Sequence, residues 1–396
     1  MSAMNDKAPK NIWLIAGETS GEMYGARLAT ELKDLAAKEG RDLHISGMGG
    51  IKMRDAGVDI LVDSSELDVI GILEVFKHIF TFIRIFKYLV NKAKAERPDA
   101  VVLIDYPGFN MMLAKALHKA GIPVIWYISP QVWAWKKYRI KQLEQYCRKM
   151  LVIFPFEVEV YQDTTLDTEF VGHPLLEMVE ARRDPAIVRD PDTVVLLPGS
   201  RSVEINRLLK PMLETATQLK KRHPALKFVL TAPREKIAKR CQEIYNCFKQ
   251  RNPDVPDVTI LTGETAKYQQ LAGTGLAASG TVTVESAIAG LPLVVVYRIN
   301  WISLLIAAPF IKLFRGFFTM ANVIADKMVF EEFLQHHVRK EELIPALERV
   351  LPGGERRSEV EQDMANIKKL LSPDNRTGVL KYTAGKIYET VNQNNR

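Results

Sequence analysis

Short runs of consecutive apolar and β-branched residues alternate along this chain with longer stretches in which apolar positions recur every three to four residues. That alternation predicts βαβ units, with parallel strands covered by helices on both faces. In the first half the predicted strands are Asn11 to Ala16, Leu43 to Ser46, Asp59 to Val62, Ala100 to Ile104, Pro123 to Ile128 and Met150 to Phe154. Their near-continuous apolarity suits strands buried on both faces. The pattern breaks at the polar stretch Arg182 to Asp192, where Pro185 and Pro191 disfavour helix. A second series follows at Thr193 to Leu197, Lys227 to Leu230, Val258 to Leu261, Leu276 to Ala278 and Leu293 to Val296, with mostly helical sequence from Lys340. The expected architecture is α/β, with two doubly wound domains, 1–182 and 193–370, facing across a cleft.

Two segments depart from the usual surface-helix pattern. Between Glu74 and Asn91 the polar positions form a narrow, largely basic stripe at helical spacing, and almost everything else is apolar. An ordinary surface helix has the opposite balance. Phe76, Phe80, Phe82, Ile83, Ile85 and Phe86 are too many for one core-facing side. Either this helix is buried on most sides, or part of it meets a bilayer interface or acyl chain, with Lys77, Arg84 and Lys87 at headgroups. Trp301 to Phe318, including Phe310, repeats the pattern with only Lys312 and Arg315 charged. Its charge-free part is too short to span a membrane.

Ligands of open α/β sheets collect beyond the carboxyl ends of strands. Four strand-to-helix turns are candidates. Gly17-Glu18-Thr19-Ser20-Gly21 allows close backbone approach and offers helix amides to an anion or a hydroxyl-rich ligand. Asp105 puts a carboxylate at the end of a buried strand, where it is either a general base of raised pKa or a helix cap. The Gly199 and Ser200 amides with the Arg201 guanidinium make a phosphate clamp, unless Arg201 is spent on Glu204. At Ser279, Gly280 and Thr281 a helix N-terminus faces anionic oxygens, and Glu285, one turn on, can hold vicinal hydroxyls such as those of a ribose. There is no Walker loop, and Gly47-Met48-Gly49-Gly50 fails the dinucleotide pattern at Lys52. Asp190-Pro191-Asp192 resembles a metal-binding D-x-D but falls in the proline-bearing boundary, so it reads as a turn. His173 reads as structural. No metal and no cofactor are expected.

Composition narrows the field further. The chain has 396 residues, 47% hydrophobic and 26% charged, which excludes a single small module and a disordered chain. Cys147, Cys241 and Cys247 carry neither disulfide nor zinc spacing, and no secretory signal is visible, so a cytoplasmic setting is expected. The net charge of +7 is uneven: residues 70–150 hold fourteen basic against five acidic residues, and Arg298, Lys312 and Arg315 follow without an acid between Val296 and Phe318. This concentration around the most apolar segments points to an anionic lipid surface. The basic run Lys136, Lys137, Arg139 and Lys141 has no nucleic-acid fold signature beside it, and nucleic acid is not an expected partner.

The motifs together resemble the lipid-A-disaccharide synthase family, which consists of inverting, metal-independent glycosyltransferases. They are AGETSGE at 16–22, ELDVIGILEV at 66–75, LIDYPGFN at 103–110, YISPQVWAW at 127–135, FVGHPL at 170–175, LLPGSRSVEI at 196–205 and ASGTVTVESAIAGLPLVVVYR at 278–298. Their order and spacing span nearly the whole chain. The resemblance implies two Rossmann-like domains of the GT-B glycosyltransferase fold, with 371–396 crossing back to the first domain. It further implies UDP-2,3-diacylglucosamine as donor, 2,3-diacylglucosamine 1-phosphate (lipid X) as acceptor, and a peripheral place on the cytoplasmic face of the inner membrane. Matching positions make Asp105 the base, Arg201 the phosphate ligand, Glu285 the ribose anchor and Asn322 part of a loop closing on the nucleotide. Gly108 stands where the family commonly has a second Asp, and Ala321 where it commonly has Pro. Within the same architecture, another UDP-glucosamine transferase or a UDP-sugar epimerase is the alternative; outside enzymes it is a peripheral lipid-binding protein. Monomer and homodimer are both compatible with the sequence.

Overall fold

The computed structural model describes residues 10–64, 75–132, 138–298, 316–373 and 378–393. The chain divides into two compact units: residues 1–174 with 372–396, and residues 175–371.

In the first unit the strands are β1 (Lys10–Ala16), β2 (Leu43–Gly49), β3 (Asp59–Asp63), β4 (Ala100–Ile104), β5 (Val124–Tyr127), β6 (Lys149–Val152) and β7 (Asp167–Phe170). They form one parallel sheet in the order β3-β2-β1-β4-β5-β6-β7. The reversal of direction falls between β1 and β4, the place where doubly wound sheets bind ligands. Helix Val379–Gln393 returns to this unit and packs on helix Thr19–Lys38. Arg41 donates to Asn392 at 3.0 Å, and the buried Lys149 ammonium pairs with Asp167 (2.7 Å) and Glu169 (3.1 Å). Glu169 also takes the Tyr382 hydroxyl, which ties the returning helix to the sheet edge.

The second unit holds β8 (Asp190–Leu197), β9 (Lys227–Ala232), β10 (Val258–Thr262), β11 (Ala272–Ala278), β12 (Leu293–Tyr297) and β13 (Glu331–Leu334). Its parallel order is β10-β9-β8-β11-β12-β13, with the reversal between β8 and β11.

Three expectations need correction. The second unit begins before the polar stretch, because Leu175, Leu176 and Met178 of helix Leu175–Glu180 bury themselves against helix Thr281–Ala289. Asp190-Pro191-Asp192 is the start of β8 instead of a turn; Asp190 takes the Thr193 hydroxyl (2.7 Å), the Asp192 amide (3.0 Å) and Lys227 (3.2 Å), so its oxygens serve the strand. The edge strands β7 and β13 escape the pattern because half-buried sequences, DTEF and EEFL, carry no apolar run.

Candidate active site

The parallel register of β1 and β4 pairs Ala16 with Ile104, so the turns that follow them emerge side by side. Gly17 is required here: a Cβ would run into the Tyr106 ring. A Cβ on Gly21 would lie 3.6 Å from the Ile104 carbonyl oxygen. The 17–21 and 105–110 turns are therefore one site.

Asp105 and Tyr106 both take left-handed backbone conformations, with φ of 48° and 51°. Non-glycine residues there are strained and collect at functional sites. The helix cap is Tyr106, so Asp105 is not serving as an N-cap. Its half-buried carboxyl is pushed up to about 6, first by burial and then by the neighbouring Glu18 charge, while the Tyr106 amide bonding to it opposes the rise. Glu18 is exposed at the start of helix Thr19–Lys38, and Ser20 is half-buried in its first turn. With two carboxylates together, this turn favours a hydroxyl-rich ligand over an anion. Gly108 is exposed and open, so the carboxyl chemistry of the 105–110 turn rests on Asp105.

In the second unit Gly199 has φ of 113°, a conformation that disfavours any side chain, and lies against the Glu204 carboxylate. Glu204 accepts the Ser200 amide (3.0 Å), the Arg201 amide (3.3 Å) and the Arg201 guanidinium (3.2 Å). The donors expected to meet phosphate converge on this carboxylate. The Arg201 side chain is 80% exposed, so this pair is a weak, solvated one.

Tyr297 connects the turn at 199–201 with the one at 279–281. The charges of Glu204 and Arg201 reach its hydroxyl, and its ring stacks on Phe318 at 5.9 Å. The Phe318 carbonyl accepts Ser279 Oγ at 3.4 Å. Gly280 and Thr281 are exposed at the start of helix Thr281–Ala289. Glu285 is half-buried on that helix; burial raises its pKa, opposed by Arg182 and a Gln269 hydrogen bond. Sequence reasoning missed Tyr297, Phe318 and Glu332. Glu332 accepts the Phe318 and Thr319 amides and the Asn322 side chain, at 3.0, 2.7 and 2.7 Å. Only the pairing of β12 with β13 brings these residues together.

Asn322 braces its own loop from within. It is fully buried, its Nδ2 donates to the Phe330 carbonyl and Glu332, and its Oδ1 takes the Val329 and Phe330 amides. Through Glu332 it holds the 318–319 backbone next to Ser279. Arg298 is also removed from any lipid surface, because its guanidinium is spent on the carbonyls of Arg207, Gln335 and Val338. His173 is buried beside Phe154, and burial lowers its pKa to about 3, so it stays neutral. Among the described residues no group of side chains is arranged to hold a metal.

Helix Val75–Glu96 divides its apolar residues between two faces. Ile85 and Leu89 are buried, and Phe82 and Phe86 pack on the core edge-to-face with Phe109, at 5.1 and 6.2 Å. Phe82 and Phe86 are partly buried, with one side of each ring on the core. Phe80 (81% exposed) and Ile83 (41%) share the outer face with Arg84, Lys87 and Tyr88. The Phe76 and Lys77 side chains, all of Trp301, Phe310, Lys312 and Arg315, and Lys136 and Lys137 lie outside the described residues. No helix among the described residues is long and apolar enough to cross a membrane.

Two parallel doubly wound sheets, each followed at its carboxyl ends by strand-to-helix turns, define an α/β protein of the GT-B fold. The fold is shared with a UDP-GlcNAc 2-epimerase from Neisseria meningitidis bound to UDP-GlcNAc (TM-score 0.60, 11% identity, 98% of this chain and 100% of that one). It is shared also with the glycotransferase of kitacinnamycin (TM-score 0.63, 15% identity, 97% and 99%). The chain belongs to the lipid-A-disaccharide synthetase family, whose pattern matches residues 12–378. Relatives named lipid-A-disaccharide synthase include those of Koribacter versatilis (38% identical, 91% of this chain and 93% of the relative) and Syntrophus aciditrophicus (33%, 91% and 94%). The protein is thus a glycosyltransferase of lipid A biosynthesis.

Proposed function

We propose that the protein transfers 2,3-diacylglucosamine from UDP-2,3-diacylglucosamine to the 6-hydroxyl of lipid X, forming a β-1,6 disaccharide 1-phosphate and UDP. The observation that carries the residue assignment is the half-buried Asp105 carboxyl at the switch point of the first sheet. The acceptor hydroxyl gives its proton to Asp105 as its oxygen forms the bond to the donor's anomeric carbon. The bond from that carbon to the diphosphate breaks, and the electron pair leaves with UDP. Glu18, Ser20, Gly17 and Gly21 shape the acceptor side. In the second unit Arg201, the Gly199–Ser200 turn and the 279–281 helix start stabilise the charge growing on UDP. Glu285 takes the ribose hydroxyls. For phosphate to bind, Glu204 must yield the donors it now occupies.

UDP release from the donor should require added lipid X. Release without lipid X would indicate hydrolysis or epimerase-like chemistry, and no turnover with both substrates would leave a lipid-binding protein.

Phe80, Ile83, Arg84 and Lys87 further support a peripheral place on an anionic phospholipid surface. A buried phenyl contributes about 1.5–3 kcal/mol and each cation about 1 kcal/mol near anionic lipid. Phe80→Asp is therefore expected to weaken cosedimentation with phosphatidylglycerol vesicles about tenfold or more while leaving the melting temperature unchanged. Undiminished vesicle binding would remove this face from the membrane contact.

A further inference from the structure

We propose that Asn110 is a positioning residue of the transfer reaction, holding the strained Asp105 peptide so that its carboxylate faces the acceptor hydroxyl. This inference rests on Asp105 being the base. Two successive non-glycine residues in the left-handed region cost roughly 1–2 kcal/mol each, so neighbouring contacts must impose that geometry. Asn110 supplies the contact from within the same turn. Its Nδ2 donates to the Asp105 carbonyl at 2.7 Å and to the Ile104 carbonyl at 3.4 Å, while its own backbone amide bonds to the Tyr106 carbonyl at 3.1 Å. The side chain therefore spans the last residue of β4 and the first left-handed residue.

Packing stability alone does not account for an asparagine here. Asn110 is fully buried, and its Oδ1 has no hydrogen-bond partner among the described residues. A buried acceptor left unpaired costs about 1–3 kcal/mol, which an apolar side chain of similar volume would avoid. What the amide supplies, and an apolar residue does not, is the bond to the Asp105 carbonyl. The Asp105 amide is held independently by the Tyr127 carbonyl at 3.0 Å, so losing Asn110 frees the peptide that follows Asp105 and leaves β4 paired.

The test is a double-mutant cycle on the full-length protein, with lipid X and the UDP-sugar as substrates. Asn110→Ala should lower kcat about 10²-fold, the scale of a displacement near 1 Å at a reacting group, with little change in donor KM. Its acid limb in kcat/KM should move from about 6 toward the ordinary carboxylate range as Asp105 relaxes into water. In an Asp105→Asn background the same substitution should cost almost nothing further. An equal fractional loss in both backgrounds, or an unmoved acid limb, would overturn the positioning role. If Asn110→Ala does not fold, Asn110→Leu, which keeps a similar volume and removes the donor without adding a charge, takes its place in the cycle. Failure of the underlying reading looks different: Asp105→Asn would itself retain turnover.

Discussion

Replacing Asp105 with asparagine is expected to lower kcat by about 10²–10⁴-fold, the usual contribution of a positioned general base, while making the folded protein more stable at pH 8. Both effects have one cause. Burial and the Glu18 charge raise the carboxyl from 3.8 to about 6, so the fold disfavours the ionised form that catalysis uses. An unfolded chain holds this carboxyl at its ordinary value. The protonated form therefore favours folding, and that contribution is fully present below about pH 4 and is lost as pH rises through about 6. Asparagine escapes the loss. After allowance for solvent around a half-exposed group, the variant should gain about 1–2 kcal/mol in urea unfolding at pH 8 and nothing at pH 4. The wild-type kcat/KM should fall on the acid side of about pH 6, where the base is protonated. A variant that keeps near-normal turnover would exclude Asp105 as the base, whatever its stability.

Arg201→Ala carries the second large expectation, at the opposite end of the reaction. The guanidinium is 80% exposed and, among the described residues, paired with Glu204 alone, so its removal should change the melting temperature little. Its loss to phosphate is another matter. Charge-assisted hydrogen bonds of the guanidinium contribute about 1.5–3 kcal/mol, and charge on the diphosphate grows toward the transition state. The expected result is a fall of about 10²-fold in kcat/KM for the UDP-sugar with an unchanged unfolding curve. Arg240, paired with Glu243 and with Asn206 on the helix that follows the turn, is the comparison. Equal, mild losses for Arg201→Ala and Arg240→Ala would move the phosphate contact elsewhere.

The sequence by itself determined the two-sheet α/β architecture, because strands buried on both faces must be nearly continuous runs of apolar residues. It also marked the strand ends that are candidates for chemistry. Gly17, Asp105 and Ser279 follow such runs directly and Gly199 follows one after Pro198, and the carboxyl end of a parallel strand is where backbone amides and side chains open to a ligand. Residue identity was enough to propose Asp105 and Arg201, since carboxylate and guanidinium carry their chemistry wherever they are exposed.

Tertiary structure alone decided how those residues are used. The register of β1 against β4 joins Gly17 and Tyr106, which are far apart in the chain, and raises Asp105 through Glu18 and burial. The pairing of β12 with β13 makes Asn322 an internal brace and Glu332 its anchor, a distinction invisible when both are only polar letters. The packing of Phe82 and Phe86 on Phe109 assigned half of an unusually apolar helix to the core and left Phe80 and Ile83 outside. Burial and hydrogen bonding are properties of neighbours, and in these places the neighbours come from distant parts of the chain.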